Sequence, residues 1–600
     1  MTLTVATHQA AAEAAASEAR RRRRSYNLIA LLRFVAFIAL AIGAAATIAD
    51  ATVWSIALAG GSLAAFLLLA LWHLQVDDHL RRARLLERYH RRGSERLQGQ
   101  WDHGQDDGTT WVSAKHAFAA DLDVVGPGGL FQLLNTAGSR PGRSQLAAWL
   151  LDNVARVDAQ RQGQVQQLAE AHAWRASLAV MATGDVDEHG DGVDEIETWL
   201  AKRPAQPAAW WWVVVWIGRI LGPGLLVYGA WRDGGGGMLL ALLLVSVLWF
   251  PIDGIARRSL ALKEPSRSRV RVRAYARALS AIAEAPGAHP ELARLRSEAA
   301  TAAAGLEGLA KALDAVAKGG NALRALLGAV VLIEWRNMRR LHRWADQYGR
   351  DYPAWCACLG RGEALSCLAT YAAEQGGCWA NEAEAGHLLV TDDLAHPLLP
   401  RDSRVGNAID LRDGQVLLLT GANASGKSTF MRAIALAVVL TRLGAPVPAK
   451  SCAMRAMRLA TVMRVSDDLR SGRSRFQAEV ERLKVVLDLA HAGDAPLLLG
   501  LDEILAGTNS RERHLGTKAV IDHLRGTAGC LVVSTHDLDL ARLSEHEPER
   551  FVLAHFADRA ALEHSEGPDM AFDYALRPGV LETTNALRVM KAFGLPVDEV

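Results

Sequence analysis

Two long apolar stretches near the amino terminus constrain this chain most. Residues 28–48 and 52–72 each approach the roughly 20 residues that a bilayer-spanning helix needs, and only Asp50 and its neighbours separate them. A link this short suits one helix that crosses a membrane and a second helix that returns. The sequence therefore predicts a transmembrane hairpin at residues 25–73, preceded by a basic tail without a core at residues 1–24.

A cleaved signal peptide is the rival interpretation of the first stretch. The arginine run at residues 20–24, the apolar run and the small residues 44–46 resemble such a peptide. A second apolar stretch follows at once, however, which a signal peptide does not need. We therefore expect a hairpin that is retained.

A second apolar pair lies at residues 210–231 and 234–252, with the glycine run 234–237 as its turn. These residues form the predicted second transmembrane hairpin, at 206–255. Arg219 lies in the middle of the first stretch, where a charge costs about 3 kcal/mol or more unless it finds a partner. Two interpretations stay open: a membrane hairpin, or a fully buried helical hairpin inside a soluble domain.

Arginine and lysine residues flank both predicted hairpins on the same side. They lie at residues 20–24, 81–92, 202–203 and 257–258. By the positive-inside rule, both termini and both large polar regions are expected in the cytoplasm. The sequence thus predicts a multi-pass protein of the inner membrane whose polar domains are cytoplasmic.

Charge and cysteine content exclude several classes of protein. The 67 Lys and Arg residues nearly balance the 65 Asp and Glu residues, which leaves a net charge of +2 and no basic field over the whole molecule. The six Cys residues lack the number and spacing of a disulfide framework or of a paired zinc site. Any nucleic-acid surface must therefore be local.

The polar regions differ in pattern. Residues 74–205 and 256–384 have the periodicity of helices, whereas from 385 to 600 strands alternate with helices. The basic segment 267–277 follows a predicted span, and it fits either anionic lipid headgroups or a nucleic-acid backbone. An all-α region therefore precedes an α/β domain.

A phosphate-binding motif opens the chemistry of the α/β domain. Residues 421–428 match GxxxxGK[ST] at every fixed position, after a short apolar run, 416–420, that predicts a buried strand. Backbone amides of such a loop face phosphates, Lys427 supplies a point charge, and the Ser428 hydroxyl coordinates Mg²⁺. The predicted nucleotide-binding residues are Gly421, Ala422, Asn423, Ala424, Ser425, Gly426, Lys427, Ser428 and Thr429.

Two further apolar runs end in polar residues. The run 497–501 leads into Asp502 and Glu503, and the run 531–533 leads into Ser534, Thr535 and His536. One carboxylate at a strand end can hold Mg²⁺ while the next polarises the attacking water, which assigns Asp502 to the metal and Glu503 to catalysis. His536 can reach the γ-phosphate, so Lys427, Glu503 and His536 form the predicted catalytic set.

The order and spacing of these motifs strongly resemble the ATPase domain of MutS mismatch-repair proteins. The resemblance covers residues 385–600 and includes GANASGKSTFMR at 421–432, a segment at 467–476, LDEI through Gly507 and Thr508, and STH at 534–536. Fainter likenesses to the MutS core and lever lie at 121–150 and 362–365. The fold class so implied is an α/β P-loop ATPase domain of ABC type, preceded by an all-α core and lever, with four transmembrane helices in two hairpins.

The resemblance also implies cofactors, partners and further site residues. ATP and Mg²⁺ are the expected cofactors, and a homodimer through the ATPase domain is the expected assembly. Ser474 of one subunit would face the γ-phosphate held by the other, and Asn407 belongs to the opening segment that borders the adenine in that family. DNA is the expected partner.

The chain departs from the family where mismatches are read. No Phe-x-Glu wedge is found, and the first hairpin occupies the region before the core. We expect weak mismatch discrimination, with basic helical surface at 267–273 and 336–343 touching phosphates. The leading function is a membrane-anchored MutS-like ATPase that engages DNA. The alternative is a membrane ATPase that moves its own spans or a protein partner, in transport or signalling, without DNA.

Overall fold

The computed structural model describes residues 3–102, 106–113, 116–183, 195–203, 208, 210–260, 265–317, 333–422, 424–463, 475–493, 495–524, 529–558 and 572–580. These residues form two compact units. The first unit comprises residues 1–136, 146–172 and 365–600, and the second comprises residues 137–145 and 173–364. The chain has a helical amino-terminal region and an α/β carboxy-terminal region, as the predicted fold class requires.

The first unit begins with two long helices, α1 (Val5–Ala49) and α2 (Val53–Leu97), which pack along each other. Their apolar parts coincide with the predicted first hairpin. A Cβ atom at Gly43 would lie 2.8 Å from the backbone nitrogen of Ala59, so the two helices meet closely through small residues. By length and composition both helices are able to cross a membrane.

Residues 1–24 differ from the expected tail without a core. From Val5 onward they form the first turns of α1, and Ala19 is buried in a small cluster with Leu80 and Ala83 of α2. The alanines supply high helix propensity, and two of them, Ala15 and Ala19, are buried. The arginine run therefore belongs to a packed helix rather than to a tail.

The remaining helices follow in chain order. They are α3 (Leu130–Leu134), α4 (Arg140–Leu151), α5 (Ala159–Ala169), α6 (His172–Ala182), α7 (Glu195–Ala201), α8 (Trp210–Leu260), α9 (Pro265–Ala283), α10 (Pro290–Ala317), α11 (Ile333–Tyr348), α12 (Tyr352–Gln375), α13 (Lys427–Leu443), α14 (Arg475–His491), α15 (Ser510–Leu524) and α16 (Leu543–His546).

Two sheets build the α/β part of the first unit. The smaller sheet has the order β1-β5-β2-β3, and the larger has the order β10-β9-β4-β8-β7-β6. In the larger sheet all neighbouring strands are parallel except β9 and β10. The strands are β1 (Asn381–Glu382), β2 (His387–Leu394), β3 (Asn407–Arg412), β4 (Gln415–Gly421), β5 (Ser451–Met454), β6 (Arg458–Val462), β7 (Leu497–Asp502), β8 (Cys530–Ser534), β9 (Phe551–Asp558) and β10 (Phe572–Pro578).

The three apolar runs predicted as strands are β4, β7 and β8, side by side in the larger sheet. Leu418, Leu499 and Val533 are buried in one apolar core. Parallel strands buried on both faces are continuously apolar, which explains these runs. Because the strands are parallel, their polar carboxyl ends meet at one edge.

The second unit contains α8, the region of the predicted second hairpin. Its part Trp210–Arg232 is long and apolar enough to cross a membrane, whereas Gly236–Val245 is a shorter apolar helix. A Cβ atom at Gly229 would lie 2.5 Å from the carbonyl oxygen of Gly237. In a straight helix, residues eight positions apart are separated by about 12 Å along the axis. The close approach of Gly229 and Gly237 therefore means that α8 bends back on itself between them. Three of the four predicted spans are thus matched by helices of spanning length.

The two segments with fainter likeness to MutS, 121–150 and 362–365, contact each other within the second unit. Backbone amides of Gly138 and Ser139 donate hydrogen bonds of 2.8 and 3.2 Å to Glu363, and the Ser139 hydroxyl donates a third. A Cβ atom at Gly142 would lie 2.6 Å from the Glu363 carboxylate. Glu363 therefore fixes the start of α4 against α12.

Candidate nucleotide site

A glycine-rich loop joins β4 to α13 at the carboxyl edge of the larger sheet. Gly421 has φ of 138° and Gly426 has φ of 109°, values that a side chain rarely permits. A Cβ atom at Gly421 would also lie 2.6 Å from the carbonyl oxygen of Phe556 on β9. The loop ends where α13 begins, at Lys427. Free backbone amides at the amino terminus of a helix attract phosphates.

Lys427 is buried at the start of α13. Its Nζ donates hydrogen bonds to the carbonyl oxygens of Gly421 at 2.8 Å and Ala422 at 2.9 Å, so the side chain folds back over the loop. Burial lowers the pKa of this ammonium group, and the charges of Glu503 and Asp502 oppose that shift. A buried cation beside loop amides forms an anion-binding site.

Asp502 is the last residue of β7 and Glu503 follows it, next to the end of β8. Asp502 pairs with Ser534, and the Glu503 amide donates to the Ser534 carbonyl oxygen at 3.1 Å. His536 Nε2 lies 2.8 Å from Glu503 Oε1 and 3.5 Å from Lys427 Nζ. The three predicted catalytic side chains are therefore neighbours.

The contact with His536 affects the Glu503 carboxylate. The hydrogen bond from His536 lowers the pKa of Glu503, and burial opposes it. Glu503 is therefore an anion near neutral pH and can accept a proton from water. Its φ of 46° is unusual for a residue with a side chain.

The oxygen atoms at this edge fit Mg²⁺. Asp502 Oδ1 is buried and accepts no hydrogen bond from any described residue, and the Ser428 hydroxyl lies at the loop end of the adjacent cavity. Within the described ranges no three His, Cys, Asp or Glu side chains are grouped to hold a metal ion. Two protein ligands suffice for Mg²⁺, which keeps several waters and binds substrate phosphates.

A cavity of about 490 Å³ extends from the loop. Its volume lies within the roughly 300–1,000 Å³ of small-molecule sites. Residues 424–429 and Glu503 contribute the polar part of its lining, and mainly apolar and aromatic side chains contribute the rest. The second group includes Leu394, His396, Leu399, Val405, Asn407, Phe556 and Tyr574. Polar loop atoms for phosphates and apolar and aromatic side chains for a flat base suit a nucleotide.

Asn407 lines the cavity and also bonds to the backbone of β10. Its Nδ2 donates to the Tyr574 carbonyl oxygen at 3.0 Å, and its Oδ1 accepts from the Leu576 amide at 2.7 Å. Asn407 therefore positions Tyr574 through the backbone. His396, which the sequence placed in the same opening segment, is buried, and burial lowers its pKa to about 3.

Sequence reasoning missed Tyr574. Its side chain is 46% exposed, its φ is 54°, and its ring lies 3.2 Å from the position of a Cβ at Gly426. This places an aromatic face at the mouth of the cavity beside the loop. The one signal was an aromatic residue in a strand after the last motif, which is too weak to single out a site.

Two predicted site residues lie outside the described part of the chain. They are Asn423 of the loop and Ser474, together with most of the segment 467–476. The other predicted residues lie in or beside the cavity. They are Gly421, Ala422, Ala424, Ser425, Gly426, Lys427, Ser428, Thr429, Asn407, Asp502, Glu503 and His536.

Comparison with known proteins gives one family. The family model described as MutS domain V matches residues 417–600. The chain is 35% identical over 239 residues to a DNA mismatch repair protein MutS of Natronomonas pharaonis, covering 39% of this chain and 27% of that protein. It is 32% identical over 215 residues to the DNA mismatch repair protein MutS 2 of Halobacterium salinarum, covering 36% and 23%.

A third relative, a DNA mismatch repair protein MutS of Haloquadratum walsbyi, is 27% identical over 242 residues, or 40% of this chain and 25% of that protein. The chain thus spans about a quarter of the length of the curated relatives that it matches. The matched regions include the loop, Asp502, Glu503 and His536. The carboxy-terminal part of this chain, residues 417–600, is therefore similar to domain V of MutS proteins.

Proposed function

We propose that the chain is a membrane-anchored MutS-like ATPase that hydrolyses ATP with Mg²⁺ and engages DNA, in mismatch-repair-related work or in sensing DNA structure. The observation that carries the proposal is the meeting of Lys427, Glu503 and His536 beside a cavity that has a phosphate-binding loop at one end. Relatives named as DNA mismatch repair proteins support the DNA part.

Each side chain has a task in hydrolysis. Bound Mg²⁺ supplies charge neutralisation on the transferred phosphoryl group. Lys427 leaves the loop carbonyls to contact phosphate oxygens, and the Ser428 hydroxyl and Asp502 carboxylate would hold the metal. Glu503 orients the attacking water and accepts its proton, while His536 holds the Glu503 carboxylate in place.

A homodimer through the ATPase domain is part of the proposal. Phe476 and Val480 are 42% and 44% exposed on the first turns of α14. They are four residues apart and so share one face of the helix, directly after Ser474. Exposed large apolar side chains mark an interaction surface. In such a dimer, Ser474 of one subunit faces the γ-phosphate held by the other.

The inner membrane, with the ATPase domain in the cytoplasm, is the proposed location. The apolar parts of α1 and α2 expose large side chains, among them Leu28, Phe34, Trp54 and Leu68, to their surroundings. Adjacent helix ends carry arginine runs. A contiguous apolar surface of this kind needs a lipid or protein environment.

One observation gives a structural basis to the second candidate function, in which hydrolysis moves the spans. Arg96 of α2 forms a buried bidentate ion pair with Glu374 of α12, at 2.8 and 2.6 Å, within the same compact unit as the nucleotide site. Such a contact ties the first hairpin to the ATPase domain. It serves an anchor and a moving device equally, so DNA binding decides between them.

The deciding experiment uses the purified full chain in detergent. We expect Mg²⁺-dependent ATP hydrolysis, and DNA binding whose logarithmic affinity falls linearly with the logarithm of salt concentration, because phosphate contacts release counterions. Matched and mismatched duplexes should differ by less than about tenfold, or about 1.4 kcal/mol. ATP turnover without salt-dependent DNA binding would favour the second candidate, and a larger mismatch preference would reveal a recognition element elsewhere.

A further inference from the structure

Helix α11 of the second unit has two contrasting faces. One face is buried and includes Trp335, Met338, Leu341 and Trp344. The opposite face exposes four arginines at positions i, i+3, i+4 and i+7, which one side of a helix brings together. These residues, called here the basic face, are Arg336, Arg339, Arg340 and Arg343.

The buried face of α11 packs on the first turns of α8, where an apolar span begins. The Trp335 ring stacks on Trp211 with centroids 5.8 Å apart and meets Trp212 edge-on at 5.4 Å. The Arg339 guanidinium lies 4.9 Å from the centroid of the Trp212 ring. Tryptophans concentrate where membrane helices leave the hydrocarbon, so the proposed membrane location would put α11 at the level of the lipid headgroups.

Positive charges adjoin this face, and the nearby Asp346 of α11 pairs with Arg203 at 2.6 Å. Arg219 of α8 lies within electrostatic reach of Arg336 and Arg339. By contrast, Arg269 and Arg273 of the basic segment on α9 both pair with Asp314. The basic face of α11 is therefore a place in the second unit where several exposed arginines adjoin an apolar helix. Anions at that level relieve the repulsion between them.

We propose that the basic face of α11 binds the phosphate headgroups of anionic lipids at the cytoplasmic surface of the membrane. The inference rests on the proposed membrane location of the chain. Charge complementarity and the adjoining apolar helix together specify the occupant, since an amphipathic helix with an arginine face is suited to an anionic bilayer surface. Binding of DNA by the same arginines would require this face to point away from the bilayer.

The test measures lipid binding to the purified full chain in detergent by native mass spectrometry, with phosphatidylglycerol and phosphatidylcholine as the probes. The variant Arg340→Gln with Arg343→Gln removes two charges from the basic face. The matched control, Arg294→Gln with Lys311→Gln, removes two charges from side chains on α10 that are each 73% exposed. We expect the first variant to lose about fivefold in phosphatidylglycerol affinity per arginine.

The control should keep the preference of the unchanged protein for phosphatidylglycerol over phosphatidylcholine. Equal loss in both variants, or no loss in the first, would overturn the inference. So would a first variant that keeps phosphatidylglycerol but loses affinity for a DNA duplex, because the face would then belong to DNA. A chain that stays soluble without detergent would instead refute the proposed membrane location, and with it this inference.

Discussion

Three residues with side chains adopt positive φ around one cavity. Ala424, Glu503 and Tyr574 have φ of 63°, 46° and 54°, and all three line the nucleotide site. Each such conformation costs on the order of 1–3 kcal/mol and persists only where the surrounding structure enforces it. Strain concentrated here supports a function for Tyr574 as well as for the motif residues.

Tyr574→Ala should weaken ATP binding, because its ring offers a face on which a base can stack. Base–aromatic stacking contributes about 1–3 kcal/mol, which corresponds to roughly 5- to 150-fold in Kd. Tyr574→Phe keeps the ring and should bind ATP almost as the unchanged chain does. Titration with a fluorescent ATP analogue measures both. Equal weakening of tripolyphosphate binding by Tyr574→Ala would show that the ring does not act on the base.

At the scale of elements, the end of α12 joins the first hairpin to the ATPase domain. Glu374 bonds to Arg96 of α2 and lies 3.3 Å from His8 of α1, and the Leu3 amide donates to the Ala373 carbonyl oxygen at 2.8 Å. Burial by itself raises the pKa of Glu374, but the Arg96 guanidinium and His8 together outweigh it and lower the pKa to about 2.

Glu374→Gln should loosen this junction, because it leaves Arg96 buried without a counter-charge. Removing one partner of a buried pair costs about 3–5 kcal/mol. Hydrogen exchange at the amide groups of α1 before its apolar part should therefore accelerate. The control is Glu95→Gln, which breaks an exposed pair with Arg91 of 3.9 Å and should cost under about 1 kcal/mol. Unchanged protection in Glu374→Gln would contradict this account of the junction.

The pKa of Glu374 also sets how the stability of this junction changes with pH. Because the folded value of about 2 lies below the ordinary value of 4.5, the ion pair contributes stability that is fully present above pH 4.5. That contribution is lost as the pH falls from 4.5 towards 2. Protection of the α1 amides should follow this course in the unchanged chain and be absent in Glu374→Gln.

At the scale of the whole molecule, the sequence predicted what local pattern determines. Continuous apolar runs identified β4, β7 and β8, and parallel packing then brought Asp502, Glu503 and His536 to one edge. Tyr574 escaped prediction because its position depends on β10 pairing with β9 and on Asn407, far away in the chain. The tail at 1–24 was misread because its partner on α2 lies beyond the hairpin.

Topology is the prediction that belongs to the whole chain. A reporter fused after Asp50 or after Gly235 should lie outside the cytoplasm, and one fused after Val600 should lie inside, because arginine runs flank both hairpins on one side. Paired alkaline phosphatase and fluorescent-protein fusions measure this. An external signal at Asp50 with a cytoplasmic one at Gly235 would keep the first hairpin and eliminate the second.

The central claim is that the cluster at the loop edge hydrolyses ATP, and two substitutions in the full chain test it most directly. Lys427→Ala should abolish ATP binding, since it removes the buried cation of the loop. Glu503→Gln should bind ATP within about twofold of the unchanged chain, lose about 10²- to 10⁴-fold in turnover and accumulate as an ATP-bound dimer, since only water activation is lost. Equal loss of ATP affinity in both variants would contradict the account.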